Sequence, residues 1–184
     1  MTSPAAARGE AVRQRLLAAA AELVPERGWP AVSTRVIADR AGVTPSVVHY
    51  HFASVQALLA EAVLAVMRAM AGEVEPVLEQ ARTAEEVVDA LAGSVERYTG
   101  ADPASLLFVE AYLAATRDDA LRRGIAEILD GLRTLLGGRL RALGVPDADA
   151  TAAVLAATVD GLLLHRPLSP APAPTAVLRR LVRS

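Results

Sequence analysis

His49, Tyr50 and His51 stand side by side in the stretch Thr44-Pro45-Ser46-Val47-Val48-His49-Tyr50-His51-Phe52, with Arg35 a short way upstream. Imidazole, phenol, hydroxyl and guanidinium groups serve three chemistries: metal ligation, acid–base or nucleophilic catalysis, and hydrogen bonding to base edges and phosphates. Ligation fails on spacing, because residues two apart on a helix face different sides and no third ligand lies near His49 and His51. Catalysis fails on partners. There is no cysteine, no glycine-rich phosphate cradle, and nothing to orient His165, the one other histidine. The sequence predicts no enzyme, no cofactor and no metal, which leaves recognition.

Recognition needs a rod that fixes these groups outward, and the flanking residues supply one. Ser33 or Thr34 can accept a hydrogen bond from a first-turn N–H, so a helix starts there with Ile37 and Ala41 one turn apart on its inner face. Gly42 can take a left-handed conformation and reverses the chain. Thr44 then offers a cap oxygen and Pro45 a first helical position that needs no N–H, so a second helix begins at once. With Val48 and Phe52 buried, Ser46, Val47, His49 and Tyr50 must point away from the core. A short helix with a small, polar outer face, held across a glycine turn, has the dimensions to enter the major groove of double-stranded DNA.

The wording of the stretch, Ser-Thr-Arg-x-Ile-Ala-x-x-Ala-Gly-Val-Thr followed by His-Tyr-His-Phe, Ser54 and Leu58-Leu59, resembles the TetR family of transcriptional regulators over residues 10–59. The resemblance implies phosphate-binding caps at Ser33 and Thr34 and a guanine contact by Arg35. It also implies base-facing positions at Pro45, Ser46 and His49, and sugar-phosphate contacts by Val47, Tyr50 and His51. His49 stands where the family usually has tyrosine, and Val55 where a lysine usually meets phosphate, a loss that Arg8, Arg13 or Arg40 could offset.

The rest of the chain supports this reading. At 184 residues, 53% hydrophobic and 3% aromatic, with no alternating strand pattern, it is expected to be all-α. No secretory segment and no run of about 18 apolar residues is evident, so a cytoplasmic protein off the membrane is expected. Net charge is −2 overall, but residues 1–55 carry a net +2 and the remainder −4, all cations being arginine. Residues 1–53 are expected to form a three-helix DNA-reading head, its first helix over 10–27 and Trp29 in the connection. Fifty residues are marginal alone, so the head should lean on the helix from Ser54, which carries Met67 and Met70 into the second half. Gly72 and Pro76 mark a bend or stop there.

Residues 54–184 are expected to form a helical ligand-binding and dimerisation domain. Thr83-Ala84-Glu85-Glu86 is a capping box for a helix reaching Gly100, Asp102-Pro103 starts another, and a long one covers 118–143 with Gly124, Gly131 and Gly138 seven apart. Met67, Met70, Tyr98, Phe108 and Tyr112, with Arg117 and His165 as polar contacts, are the candidates to line a cavity for an apolar or amphipathic small molecule. After Pro146-Asp147, a helix rich in small residues presents Ala153, Ala157, Gly161 and Leu162. A short helix over 175–182 adds Leu178 and Leu181, and packs against the small-residue helix. In proteins resembling this one the last helices of two subunits form a four-helix bundle, which implies a homodimer reading a palindrome. The other readings are a helical ligand- or protein-binding module that does not read DNA, and an activator of the same fold.

Overall fold

The computed structural model describes residues 4–169 and 174–183; of the proline-rich loop that the sequence predicts from Arg166 to Thr175, Pro170 and Pro172 lie outside the described residues. Among the described residues the chain is all helical. The helices are α1 (Pro4–Arg27), α2 (Thr34–Ala41), α3 (Pro45–His51), α4 (Val55–Gln80), α5 (Ala84–Glu96), α6 (Pro103–Ala115), α7 (Asp119–Ala142), α8 (Ala148–His165) and α9 (Thr175–Leu181), with a 3-10 turn at Trp29–Ala31.

Packing divides the chain elsewhere than at residue 53. One compact unit takes the chain through Met67 together with Leu106–Arg122; the other takes Arg68–Ser105 and the chain from Arg123 onward. The head thus shares a unit with the first half of α4, as its size demanded, and also with most of α6, which the local signals did not suggest. The first unit buries Leu16, Leu23 and Val24 of α1, Ile37 of α2, Val48 of α3 and Leu58, Leu59 and Val63 of α4. Each such side chain contributes roughly 1.5–3 kcal/mol.

The second unit closes on Leu78, Val87, Val88, Leu136, Leu140, Leu155, Leu178 and Val182. The starts of α5 and α6 are capped by side chains. Thr83 accepts the Glu86 N–H at 3.1 Å, while the Glu86 carboxylate reaches back to the N–H of Arg82 rather than to that of Thr83 itself. At α6, the Asp102 carboxylate accepts the N–H groups of Thr99 and Ser105 and the Ser105 hydroxyl. Partial burial pushes this carboxyl up, but the bonds from Ser105 and Thr99 outweigh it and hold Asp102 at about 2.

Three boundaries differ from expectation. α1 starts at Pro4 rather than Glu10, because proline suits a first helical position and Ala6 and Ala7 favour helix. α4 does not stop at Gly72 or Pro76; the missing Pro76 N–H leaves only the Gly72 carbonyl unpaired, and both residues are exposed where water can satisfy it. α5 ends at Glu96, so Tyr98 lies beyond it, before Gly100 at φ 80°. On α7 an added Cβ would meet nothing at Gly131 or Gly138, whereas Gly137 is packed on Asp149.

α9 also has another partner. It packs on α5 rather than chiefly on α8, where Arg179 makes two bonds to the Asp89 carboxylate at 2.8 and 2.7 Å. By length and composition α4 and α8 could each cross a membrane, although neither is an unbroken apolar run. On α4 that hydrophobicity includes Leu58, Leu59, Val63 and Met67, all in the core.

Candidate nucleic-acid interface

Two local devices set the angle between α2 and α3. Ser33 is extended and its Oγ accepts the Val36 N–H at 3.4 Å; Gly42 is left-handed at φ 67°, and the Val43 N–H reaches the Ala38 carbonyl at 3.0 Å. Pro45 opens α3 as expected, but Thr44 does not cap it. Its hydroxyl meets the Ser46 hydroxyl at 2.9 Å instead, so both point out at the helix start.

α3 is only seven residues long and depends on tertiary anchors. Val48 and Phe52 are buried, and the Arg13 guanidinium lies 4.9 Å from the Phe52 ring centroid while pairing with the Glu61 carboxylate. Arg13 thereby ties α1, the end of α3 and α4 together. On the opposite side Ser46 and His49 are exposed, Val47 and His51 are half-buried, and Tyr50 is 85% exposed with its ring edge-on to His51. Burying the anchors has left a polar aromatic face in water.

The cations divide into two groups. Arg40 donates to Glu22 at 3.0 Å and to Glu26 at 2.6 Å. The hydrogen bond from Arg40 holds the Glu26 carboxyl below its usual range, and the two carboxylates raise the Arg40 guanidinium. Arg13, paired with Glu61 of α4, and Arg40, paired with Glu22 and Glu26 of α1, are therefore engaged within the first unit and poorly placed to replace a phosphate-binding lysine at Val55. Arg35 is exposed, makes no ion pair among the described residues, and sits in the first turn of α2 beside half-buried Thr34.

The expected ligand residues fall in both units. Met67, Phe108, Tyr112 and Arg117 belong to the first unit, and Met70, Tyr98 and His165 to the second. Arg117 lines a cavity with Trp29 and Glu110, and His165 lines another between α5, α8 and α9. Met67 is buried core, and Tyr112 and His165 are exposed. The expected dimer residues divide too. Ala153, Ala157 and Leu181 are exposed and Gly161 has open space at its Cβ position, whereas Leu162 lines the α5–α8–α9 cavity and Leu178 is buried in the core. Val154, Leu164 and Val177 are exposed apolar residues as well.

A further group is absent from the sequence expectations. The Trp29 N–H donates to Glu110 at 2.7 Å and its indole N–H to Gln56 at 2.7 Å, joining the turn before α2 to α6 and α4. The one available signal was that a buried indole N–H needs an acceptor. Gly28 precedes this turn at φ 78°, a positive φ that favours glycine, and a Cβ there would make only ordinary contact with the Glu110 carboxylate at 3.5 Å.

Residues 16–62 match the family described as bacterial regulatory proteins of the tetR family, and residues 82–184 match its tetracyclin repressor-like C-terminal domain. The chain is 30% identical over 162 residues to the HTH-type transcriptional regulator BetI of Rhizobium meliloti (strain 1021), covering 87% of this chain and 80% of that one. Among solved structures it superposes on a transcriptional regulator, SCO7518, of Streptomyces coelicolor A3(2), with TM-score 0.81 and 29% identity over 94% of this chain and 99% of that one. It also superposes on the multidrug binding protein EbrR complexed with imidazole, with TM-score 0.68 and 29% identity over 92% of each chain.

Proposed function

The chain belongs to the TetR family of ligand-responsive, DNA-binding transcriptional regulators, which are not enzymes, and we propose that it is a cytoplasmic repressor that holds a palindromic operator as a homodimer and releases it when a small molecule binds. The observation that carries this reading is the outer face of α3, where Ser46, His49 and Tyr50 stand in water on a helix locked by Val48 and Phe52. Residues 1–53 are the reading head. Arg35, Pro45, Ser46 and His49 meet base edges, while Ser33, Thr34, Val47, Tyr50 and His51 meet the backbone, with Thr44 beside them at the turn.

Residues 54–184 bind the effector and the second copy. Val154 and Leu164 on α8 and Val177 and Leu181 on α9 are apolar and exposed, and Ala153, Ala157 and Gly161 permit close approach, which supports an isologous helix contact. Such symmetry spaces two recognition helices about one duplex turn, roughly 34–36 Å, apart. The effector is apolar or amphipathic, and by linkage it and the operator weaken each other by the same factor, a coupling of about 1–3 kcal/mol.

Selection of duplexes by the purified protein from a random pool tests the reading: a two-fold symmetric consensus is expected, and equal affinity for all duplexes at moderate salt would remove it. An added Cβ at Gly161 meets nothing in its own chain, so Gly161→Arg puts bulk and charge into the helix contact; sedimentation should show monomers and operator binding should fall with it.

A further inference from the structure

We propose that the cavity beside Trp29 binds a small organic ammonium ion with an apolar body, at a site distinct from the operator-reading face of α3. The cavity is about 530 Å3 and half-open, within the range that holds a small-molecule ligand. Pro30, Leu113 and Ala114 supply apolar wall, and Leu113 is 56% exposed, so apolar surface there awaits cover.

The polar lining selects the charge. Glu110 uses Oε2 to accept the Trp29 N–H at 2.7 Å, which leaves Oε1 able to accept another donor. Asp118 uses Oδ1 for the N–H groups of Ala120 and Leu121 at the start of α7, which leaves Oδ2. Gln56 has its oxygen engaged by the indole. Arg117 is the lone cation of the lining; it is exposed and makes no ion pair among the described residues, so water screens its charge. Two carboxylates with unused lone pairs against one hydrated guanidinium favour a cation that donates hydrogen bonds, and they repel an anion. Both carboxylates are held in place by backbone N–H groups, so the acceptors are ordered before a ligand arrives.

This inference goes beyond the repressor reading and does not depend on which operator is bound. Its test has a built-in reporter, because Trp29 is the only tryptophan in the chain and lines the cavity. The purified full chain is titrated with benzylammonium, benzyl alcohol and benzoate while Trp29 emission and the heat of binding are followed. Benzylammonium should give a saturable change, with benzyl alcohol about tenfold weaker or more and benzoate weaker still. Glu110→Gln keeps an oxygen for the Trp29 N–H, and should weaken benzylammonium about tenfold while leaving benzyl alcohol unchanged. Ala114→Phe fills the cavity from its apolar wall, and should abolish the response to both even if Glu110→Gln unfolds. No saturable change with benzylammonium, or equal binding to the wild type and to a folded Glu110→Gln or Ala114→Phe variant, would overturn the proposal.

Discussion

α3 and α9 are both seven residues long, and neither start is capped by a side chain. Each is held by two buried side chains four residues apart, Val48 and Phe52 for α3 and Leu178 and Val182 for α9. Each anchor set is reinforced by an arginine from or to a neighbouring helix, Arg13 over Phe52 in one case and Arg179 on Asp89 in the other. What differs is the side left outside. α3 shows Ser46, His49 and Tyr50, and α9 shows Val177 and Leu181. Helices this short have little stability of their own, so their inner faces answer to packing alone and their outer faces carry the functional information. A polar aromatic face suits base edges and phosphates, and an apolar one suits a second protein surface.

The largest effects should come from breaking the anchors, since there the two helices are alike. Leu178→Ala should cost about 2–5 kcal/mol in denaturant unfolding, and Val48→Ala less in proportion to the fewer methyl groups removed. If either truncation were silent, that helix would not be held as described. Next comes the outer side of the head, where they diverge. Arg35→Ala should lose about 1–3 kcal/mol of operator affinity with no change in the unfolding midpoint, because the side chain is exposed and unpaired. A stability loss of that size would instead assign Arg35 to the core of the head.

Helix starts sharpen the contrast further. Thr44 does not cap α3, so Thr44→Ala should change stability by less than about 0.5 kcal/mol, whereas Asp102→Ala at α6 should cost about 0.5–2 kcal/mol. The Asp102 effect carries a pH signature. Its carboxyl is held at about 2 in the folded chain against an ordinary 3.8, so its contribution is fully present above about pH 4 and disappears as the pH falls toward 2. Wild type and Asp102→Ala should therefore converge in thermal unfolding at the acid end, and a constant gap down to pH 2 would assign the loss to something other than the charged cap.

The α2–α3 element was legible in the sequence because its determinants are neighbours: Ser33, Gly42 and Pro45 act within a few residues of where they sit. The all-helical class was equally open, since composition and periodicity are summed over long windows. What the sequence hid was long-range. The partner of α9 is set by Arg179 and Asp89, 90 residues apart, and the link from Trp29 to Glu110 spans 81. Leu178 has the spacing of an outward residue as readily as an inward one, and only the presence of α5 decides. α4 passes through Gly72 and Pro76 because exposure lets water take the unpaired carbonyl, a condition no local pattern states.

The smallest effect expected concerns the charge of the head. Each phosphate neutralised by a cation releases counterions, and log affinity falls against log salt with a slope of about −0.9 per contact. Arg40 is bound to Glu22 and Glu26, so reaching a phosphate would require it to leave two carboxylates for one. Arg40→Gln should consequently leave the salt slope of operator binding unchanged. The reference for comparison is Val55→Lys, which restores the cation the family usually carries there; it should steepen the slope by about 0.9 per head, near 1.8 for a dimer. Both slopes come from operator dissociation constants measured across one salt series. If Arg40→Gln instead flattened the slope by about 1 per head, the ion pairs with α1 would have to open on DNA, and the interface would extend from α3 to the far end of α2.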